Sequence, residues 1–313
     1  MRTFRHDEPL PAEARGAVIA IGNFDGVHRG HQAVIGEAGL IAKATGAPWA
    51  VLTFEPHPRS VFRPECEPFR LTPAGQKARL IAAMGVDTLV KVAFDRDFAQ
   101  MSPDAFIQSV LVENVGARHV VAGYDFAFGR NRGGDCGLLL RLGKEAGFGF
   151  TVVQAVRGSD GGVQSSSRVR DALREGRPRE AAAILGRCFE IEAPVVAGDR
   201  RGRTIGFPTA NLDLGEYLRP RSGVYAVRAG RDEGDATVWH DGVANVGNRP
   251  TVGGAVVNLE VFLFDFSGDL YGRKLRVELV EFVRAEKKFD GLDQLKAQIA
   301  RDCESARSIL AGV

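Results

Sequence analysis

Strand-length apolar runs alternate with helical patterns through the first half of this chain and then give way to strand after strand. This change of texture limits the folds open to it. Runs at 18–21, 49–54, 88–92, 119–122 and 150–156 have strand length, and helix-like periods fill the gaps. Such alternation implies a parallel sheet covered by helices on both faces, in which ligands bind beyond the carboxyl ends of the strands. Ser102-Pro103 reads as a helix start, with serine as N-cap and proline as the first helical residue.

After two short helical stretches, SSSRVRDALREG and PREAAAILG, the segments EIEAPVVAG, GVYAVRAG, ATVWHDGVANVG, VNLEVFLFDF and KLRVELVEFV follow one another through Gly- and Asp-containing turns. These read as an antiparallel barrel or sandwich. Only the end is helical again, where Leu292, Leu295, Ile299, Cys303, Ala306 and Leu310 keep the spacing of a helix packed on one side. A boundary is therefore expected near Gly186, dividing the chain into domains 1–186 and 187–313, with no flexible linker and no internal repeat.

At 313 residues the chain is comfortable for two domains with adequate cores. Its 41 basic and 39 acidic residues leave a net charge of +2 with no long block of one sign, so no polyanion-binding tail is indicated and nucleic acid is not an expected partner. Four dispersed cysteines and no recognisable leader lead to the expectation of a reduced cytoplasmic protein. No apolar run approaches the length of a membrane span, and nothing indicates an oligomer.

The chemistry concentrates at strand ends. AIGNFDGVHRGHQAVI, residues 20–35, runs an apolar strand through a glycine-broken turn and sets His28 and His31 three residues apart at the start of a helix. Two imidazoles one turn apart share a face, and the first turn of a helix carries unpaired N–H groups and the positive end of the macrodipole. That combination suits an anion such as phosphate. An H-x-x-H pair also occurs as a zinc half-site or as two incidental surface histidines. Here His57, Cys66 and Cys136 do not stand at the paired spacing of a structural zinc site. GYDFAFGRNRGGD, residues 123–135, follows the strand HVVAG and falls on the same edge of the sheet, where its aromatics suit the stacking of a planar ring and Asp125 the fixing of that ring's polar edge. A glycine-rich turn with core aromatics is its plainer reading. SSSRVR, residues 165–170, puts three hydroxyls and two guanidiniums at a predicted helix start. These are groups that bind phosphate oxygens, although a serine N-cap before a solvated basic helix has the same composition.

In combination these segments carry a resemblance. GNFDGVHRGH resembles the H-x-G-H signature of nucleotidylyltransferases, and SSSRVR is similar to their phosphate loop. TFEPHP, the GYDFAFGRNRGGD loop and the second-domain stretches GDRRGRTIGFPTANL (198–212), GVYAV (223–227), NVGNRPT (245–251) and LEVFLFDFSGDLYG (259–272) narrow this to the bacterial family of bifunctional riboflavin kinases and FMN adenylyltransferases, also called FAD synthetases. The resemblance covers nearly the whole chain. It implies an α/β nucleotidylyltransferase domain with a Rossmann-like parallel sheet, then an antiparallel β-barrel kinase domain with a C-terminal helix.

The resemblance also implies roles. In the second domain Thr209 and Asn211 would ligate a Mg2+ bridging the ATP phosphates, offering the hard oxygens magnesium prefers. Gly198, Gly202 and Gly206 would let the backbone approach those phosphates. Glu260 would take the proton of the ribityl hydroxyl as it attacks the γ-phosphoryl group. Without the family context Glu260 is simply an outward strand residue between Leu259 and Val261. In the first domain FMN would attack the α-phosphorus of a second ATP, releasing pyrophosphate and leaving FAD. His28 and His31 would donate to the ATP phosphates, Asn23 and Asp25 would shape the turn and help hold the nucleotide, and Ser166, Ser167, Arg168 and Arg170 would close over the phosphates. Asp125 and Phe126 would lie toward the flavin.

Three positions depart from the common family pattern: SSS where SST is frequent, Asp125 where asparagine also occurs, and Phe262 beside the kinase glutamate where histidine is common. Two other readings are a nucleotidylyltransferase for another phosphorylated small molecule with a merely binding second domain, and a flavin-binding regulator without catalysis. The intact histidine pair, PTAN and Glu260 weigh against the second.

Overall fold

In the computed structural model, which describes residues 1–197, 206–251 and 254–313, the five apolar runs of the first half are strands of one sheet. They are β2 (Val18–Ile21), β3 (Trp49–Glu55), β4 (Thr88–Ala93), β5 (His119–Gly123) and β6 (Gly149–Val153), with β1 (Arg2–Arg5) added at one edge. All neighbours are parallel, in the order β1-β4-β3-β2-β5-β6. Both faces are covered, which is why the runs carry no polar alternation. In β2, Ile19 and Ile21 enter one apolar cluster, with Phe106, Leu111 and Leu139, while Val18 and Ala20 enter the other, with Val34, Ile35 and Ala38. The last three belong to α1 (Arg29–Thr45), and Leu139 to α5 (Cys136–Ala146).

The remaining helices here are α2 (Pro58–Phe62), α3 (Ala74–Ala82) and α4 (Pro103–Phe106), the last continued by a wider π-helical stretch, Ile107–Asn114. Ser102 caps α4 as expected, its hydroxyl accepting from the N–H of Ala105 at 3.2 Å. The sequence pattern does not predict β1. Its sequence RTFR is mostly exposed and carries no apolar run, and it is a strand only because β4 offers it an edge.

The second half is a closed barrel of β7 (Phe189–Val196), β8 (Ala210–Asp213), β9 (Gly223–Arg231), β10 (His240–Thr251), β11 (Gly254–Leu263) and β12 (Lys274–Ala285), ordered β10-β11-β8-β7-β12-β9. Closure decides between barrel and sandwich, and it runs through β8, whose four residues ANLD lie inside a motif rather than in a strand-like run. Ile191, Leu212, Val227, Val246, Leu259, Val261 and Val277 fill the interior. The terminal helix α8 (Leu292–Leu310) packs Ala306 and Leu310 against Val224, Ala226, Val243 and Phe264. Its expected stripe is shortened at the start: Leu292 is 64% exposed. Asp302, one position before the stripe residue Cys303, is the buried one, held by Arg284 at 2.6 Å.

The compact units are Met1–Glu67 with Thr72–Ser165, and Pro68–Leu71 with Ser166–Val313. The first unit passes into the second at Ser165/Ser166. Helices α6 (Ser166–Arg174) and α7 (Pro178–Leu185) belong with the barrel, because Val169, Ala172, Leu173, Ala181, Ile184 and Leu185 are buried in the same apolar cluster as its interior.

One charged cluster on the barrel's outer side yields a stability prediction. Glu278 stands directly across from Glu190 in the β7–β12 pairing, and Glu190 accepts two hydrogen bonds from Arg276, at 2.8 and 3.2 Å. Burial, and then the facing Glu190 charge, raise the Glu278 carboxyl above its ordinary range. A carboxyl raised on folding favours the protonated form, so its contribution is fully present in acid and is lost as the pH rises through the folded value. Glu278→Gln is therefore expected to raise Tm at neutral pH, with the gain vanishing below about pH 4, where wild type is protonated in both states. Thermal melts at the two pH values check this.

Candidate active sites

The order of the sheet reverses between β2 and β5, the place where open parallel sheets leave a crevice beyond their strand ends. The turn after β2 leads into α1 and the turn after β5 carries Asp125, so the two stretches singled out from the sequence emerge from adjacent strands.

The turn after β2 is tightly bent. Phe24, Gly26 and Val27 all have left-handed backbones, with φ of 50°, 91° and 43°. Two of these are not glycine, an uncommon and costly arrangement. Phe24 and Val27 are buried anchors, and Asp25 is only 2% exposed. The Asp25 carboxylate accepts from the backbone N–H of Thr72 at 3.0 Å, and the Thr72 hydroxyl accepts from the N–H of Gly26 at 2.8 Å. The carbonyl of Asn23 accepts from Lys77 Nζ at 3.0 Å and from the Thr53 hydroxyl at 3.1 Å. The Asn23 backbone carbonyl and the Asp25 carboxylate thus tie the turn to α3 and to Thr72.

His28 is the N-cap of α1, with Nδ1 accepting from the backbone N–H of His31 at 3.3 Å. That bond needs a bare Nδ1, so the neutral ring carries its proton on Nε2. The two imidazoles stack with centroids 3.5 Å apart and planes 22° apart, and Phe24 meets His31 edge-on at 5.3 Å. The glycine of H-R-G-H has a steric reason. A Cβ on Gly30 would stand 2.9 Å from the carbonyl oxygen of Gln164 and 3.1 Å from the His28 ring. The same contact brings the chain past the histidine pair just before SSSRVR begins.

Ser166, Ser167, Arg168 and Arg170 lie in the first two turns of α6, in the second compact unit. Arg168 reaches Glu180 at 3.5 Å, and Arg170 donates to the Phe69 carbonyl at 2.9 Å with its guanidinium over the Phe69 ring. Asp125 is exposed in the turn after β5. Phe126 is half-buried and stacks one face on Phe128, with centroids 5.6 Å apart, so that face of its ring is already used. Among the described residues, no group of three His, Cys, Asp or Glu side chains gathers as a metal site.

In the barrel, strand register assembles what the sequence separates. Glu260 pairs with Asn211 of β8 on one side and with Asn245 of β10 on the other. Their neighbours Leu212, Leu259, Val261 and Val246 all point inward, so Asn211, Glu260 and Asn245 form one row on the outer face. Asn258, two residues before Glu260 and on the same face, donates Nδ2 to the Asn211 Oδ1 at 2.9 Å, which fixes which way that buried amide points. Thr209 lies half-buried two residues ahead of Asn211. Gly206 takes a left-handed φ of 89°, and Gly198 and Gly202 lie outside the described residues. Phe262 meets Phe207 edge-on at 5.4 Å and so buttresses the segment leading to PTAN.

The two halves match two family models in the same order, FAD synthetase over residues 10–168 and riboflavin kinase over residues 185–310. The chain is 44% identical over 298 residues to the bifunctional riboflavin kinase/FMN adenylyltransferase of Escherichia coli (strain K12), an alignment spanning 95% of this chain and 93% of that one. The chain belongs to the bifunctional riboflavin kinase/FMN adenylyltransferase family. Members from Pseudomonas fluorescens and Bacillus subtilis (strain 168) are 41% and 38% identical to it, over 99% and 98% of this chain and 98% and 97% of theirs. A solved structure described as a macrolide-efflux protein from Streptococcus pneumoniae shares the fold with a TM-score of 0.85 at 30% identity, covering 97% of this chain and 98% of that one. Among the described residues here, no helix is long and apolar enough to cross a membrane.

Four residues of this riboflavin kinase/FMN adenylyltransferase family member were not singled out from its sequence but stand in these clusters: Thr72, Lys77, Asn245 and Asn258. Asn245 heads NVGNRPT, a signal that was present. Thr72, Lys77 and Asn258 sit in unremarkable surroundings, and only tertiary pairing shows them.

Proposed function

We propose that the chain phosphorylates riboflavin to FMN in its barrel unit and adenylylates FMN to FAD in its sheet unit, with one ATP consumed in each step. The observation that carries this reading is that the two family matches fall on two separate folds, each holding a matching polar cluster. The histidine pair sits at the sheet's reversal point, and the Asn211–Glu260 pair on the barrel wall.

In the barrel, Glu260 accepts the proton of the ribityl terminal hydroxyl as its oxygen attacks the γ-phosphorus, and ADP leaves. Thr209 and Asn211 offer neutral hard oxygens of the kind Mg2+ takes alongside phosphates and water, and the Asn258 amide keeps the Asn211 oxygen aimed while leaving it a second lone pair. Bound there, Mg2+ would neutralise charge on the ATP phosphates. Gly206, with Gly198 and Gly202, would let the backbone approach them.

In the sheet unit a phosphate oxygen of FMN attacks the α-phosphorus of ATP and pyrophosphate departs. Such transfers need positioning and charge neutralisation rather than a protein nucleophile. His28 Nε2–H and His31 donate to phosphate oxygens at the N-terminus of α1, where the positive end of the helix dipole adds to the same field. Asn23 and Asp25 hold the turn. Ser166, Ser167, Arg168 and Arg170 would close on the phosphates, with Arg168 exchanging Glu180 for a phosphate oxygen. Asp125 and the free face of Phe126 would meet the flavin. This reading places the protein in the cytoplasm, with small-molecule partners and neither nucleic acid nor membrane.

Purified chain incubated with riboflavin and Mg-ATP, followed by chromatography, is expected to show FMN rising before FAD, with riboflavin-dependent ADP and FMN-dependent pyrophosphate. FMN without FAD would remove the proposed role of the histidine pair. FAD made only from added FMN would remove that of Glu260.

A further inference from the structure

The strained turn in front of the histidine pair is gripped from outside at both ends. At its start, Lys77 of α3 is 1% exposed, a depth at which an ammonium is costly unless every proton is placed. It forms an ion pair with Glu55 at 2.6 Å, donates to the Thr53 hydroxyl at 2.9 Å and spends a further bond, at 3.0 Å, on the backbone carbonyl of Asn23. The Thr53 hydroxyl donates to that same carbonyl at 3.1 Å. At the far end, Thr72 is also 1% exposed, and its N–H and hydroxyl hold the Asp25 carboxylate and the Gly26 N–H. Between the two grips lie the left-handed Phe24, Gly26 and Val27, and directly after them His28.

Left-handed non-glycine residues persist only where their surroundings over-determine them. A methionine or leucine in place of Lys77 would fill a buried space without bringing in a charge. What the lysine adds is a fixed direction for the Asn23 carbonyl, and through it for the chain that delivers His28. We infer that Thr72 and Lys77 are positioning residues for adenylyl transfer, clamping turn 23–27 so that the His28 and His31 donors face the phosphates. The inference rests on the adenylyl-transfer reading of the sheet unit, and both residues act through the turn rather than on substrate.

The test uses the full chain, with FAD formation from FMN and ATP measured across ATP concentrations and riboflavin phosphorylation measured in parallel. Thr72→Val keeps shape and removes the hydroxyl, and it is expected to lower kcat/KM for ATP in FAD formation by about 10–100-fold, with KM for ATP raised at least about threefold. Thr72→Ser restores the hydroxyl and is expected to stay within about threefold of wild type. Lys77→Met should resemble Thr72→Val, and all three should phosphorylate riboflavin at the wild-type rate. Partial unfolding would lower kcat in proportion and leave KM for ATP where it was, so the KM shift and the serine rescue distinguish a clamp from general support. A Thr72→Val enzyme with wild-type KM and rate, or a Thr72→Ser enzyme as impaired as the valine variant, would overturn the inference. If Lys77→Met does not fold, the two Thr72 variants decide alone. Should wild type itself make no FAD from FMN, the adenylyl-transfer reading falls and takes the clamp with it. Wild-type activity with indifferent variants sinks only the clamp.

Discussion

Glu260→Gln is expected to lower riboflavin phosphorylation by about 10²–10⁴-fold, the range usually lost with a general base, while FAD formation from supplied FMN stays at the wild-type level. Glutamine matches glutamate in shape and keeps the strand pairing of Glu260 with Asn211 and Asn245. The loss would therefore report the missing proton acceptor rather than a disturbed barrel wall. The check is two assays on one preparation, riboflavin with Mg-ATP for FMN, and FMN with Mg-ATP for FAD. If the variant phosphorylates riboflavin normally, the base lies elsewhere. If both reactions fail in a protein with an unchanged melting curve, the division of labour between the two units is wrong.

The converse result is expected from His28→Ala combined with His31→Ala. FAD formation should fall by on the order of 10²–10³-fold or more, as when preorganised donors to a developing anion are removed, and riboflavin phosphorylation should be spared. The alanine variant has a confounding effect, because His28 also caps α1 through Nδ1. Losing a cap costs about 1 kcal/mol, enough to lower Tm by a few degrees but not to unfold a domain. His28→Asn separates the two roles, since its side-chain oxygen can accept the His31 N–H while offering no imidazole Nε2–H. It is expected to melt close to wild type and still lose most FAD formation. Wild-type FAD synthesis by His28→Asn would mean that the residue serves the helix and not the phosphates.

How much of these sites was legible beforehand depended on whether the signal was local. His28 and His31 were readable because the strand, the turn glycine and the helix start are adjacent in sequence, and the structure adds only why the intervening residue is Gly30. Asn211 and Glu260 were readable only through family resemblance. The alternation of Glu260 with Leu259 and Val261 says that it faces outward, not that it faces Asn211 and Asn245. Arg168 and Arg170 stand in the first two turns of α6, at the helix start that the sequence predicts, engaged by Glu180 and by the Phe69 carbonyl. Nothing in SSSRVR names those partners, because they come from segments elsewhere in the chain.

The sequence by itself determined the parallel sheet, the run of strands that follows it, the helix starts at Ser102 and His28 and the terminal helix, because each is written in the periodicity and capping of neighbouring residues. Only the tertiary structure decided that RTFR and ANLD are strands, that α6 and α7 join the barrel, and that Leu292 is exposed while Asp302 is buried. The same holds for the grip of Thr72 and Lys77 on the turn before His28. Each of these depends on a partner brought close by folding. An unpaired edge, an open apolar face or an unmatched carbonyl attracts whatever the rest of the chain delivers to it, and a local pattern carries no record of what that will be.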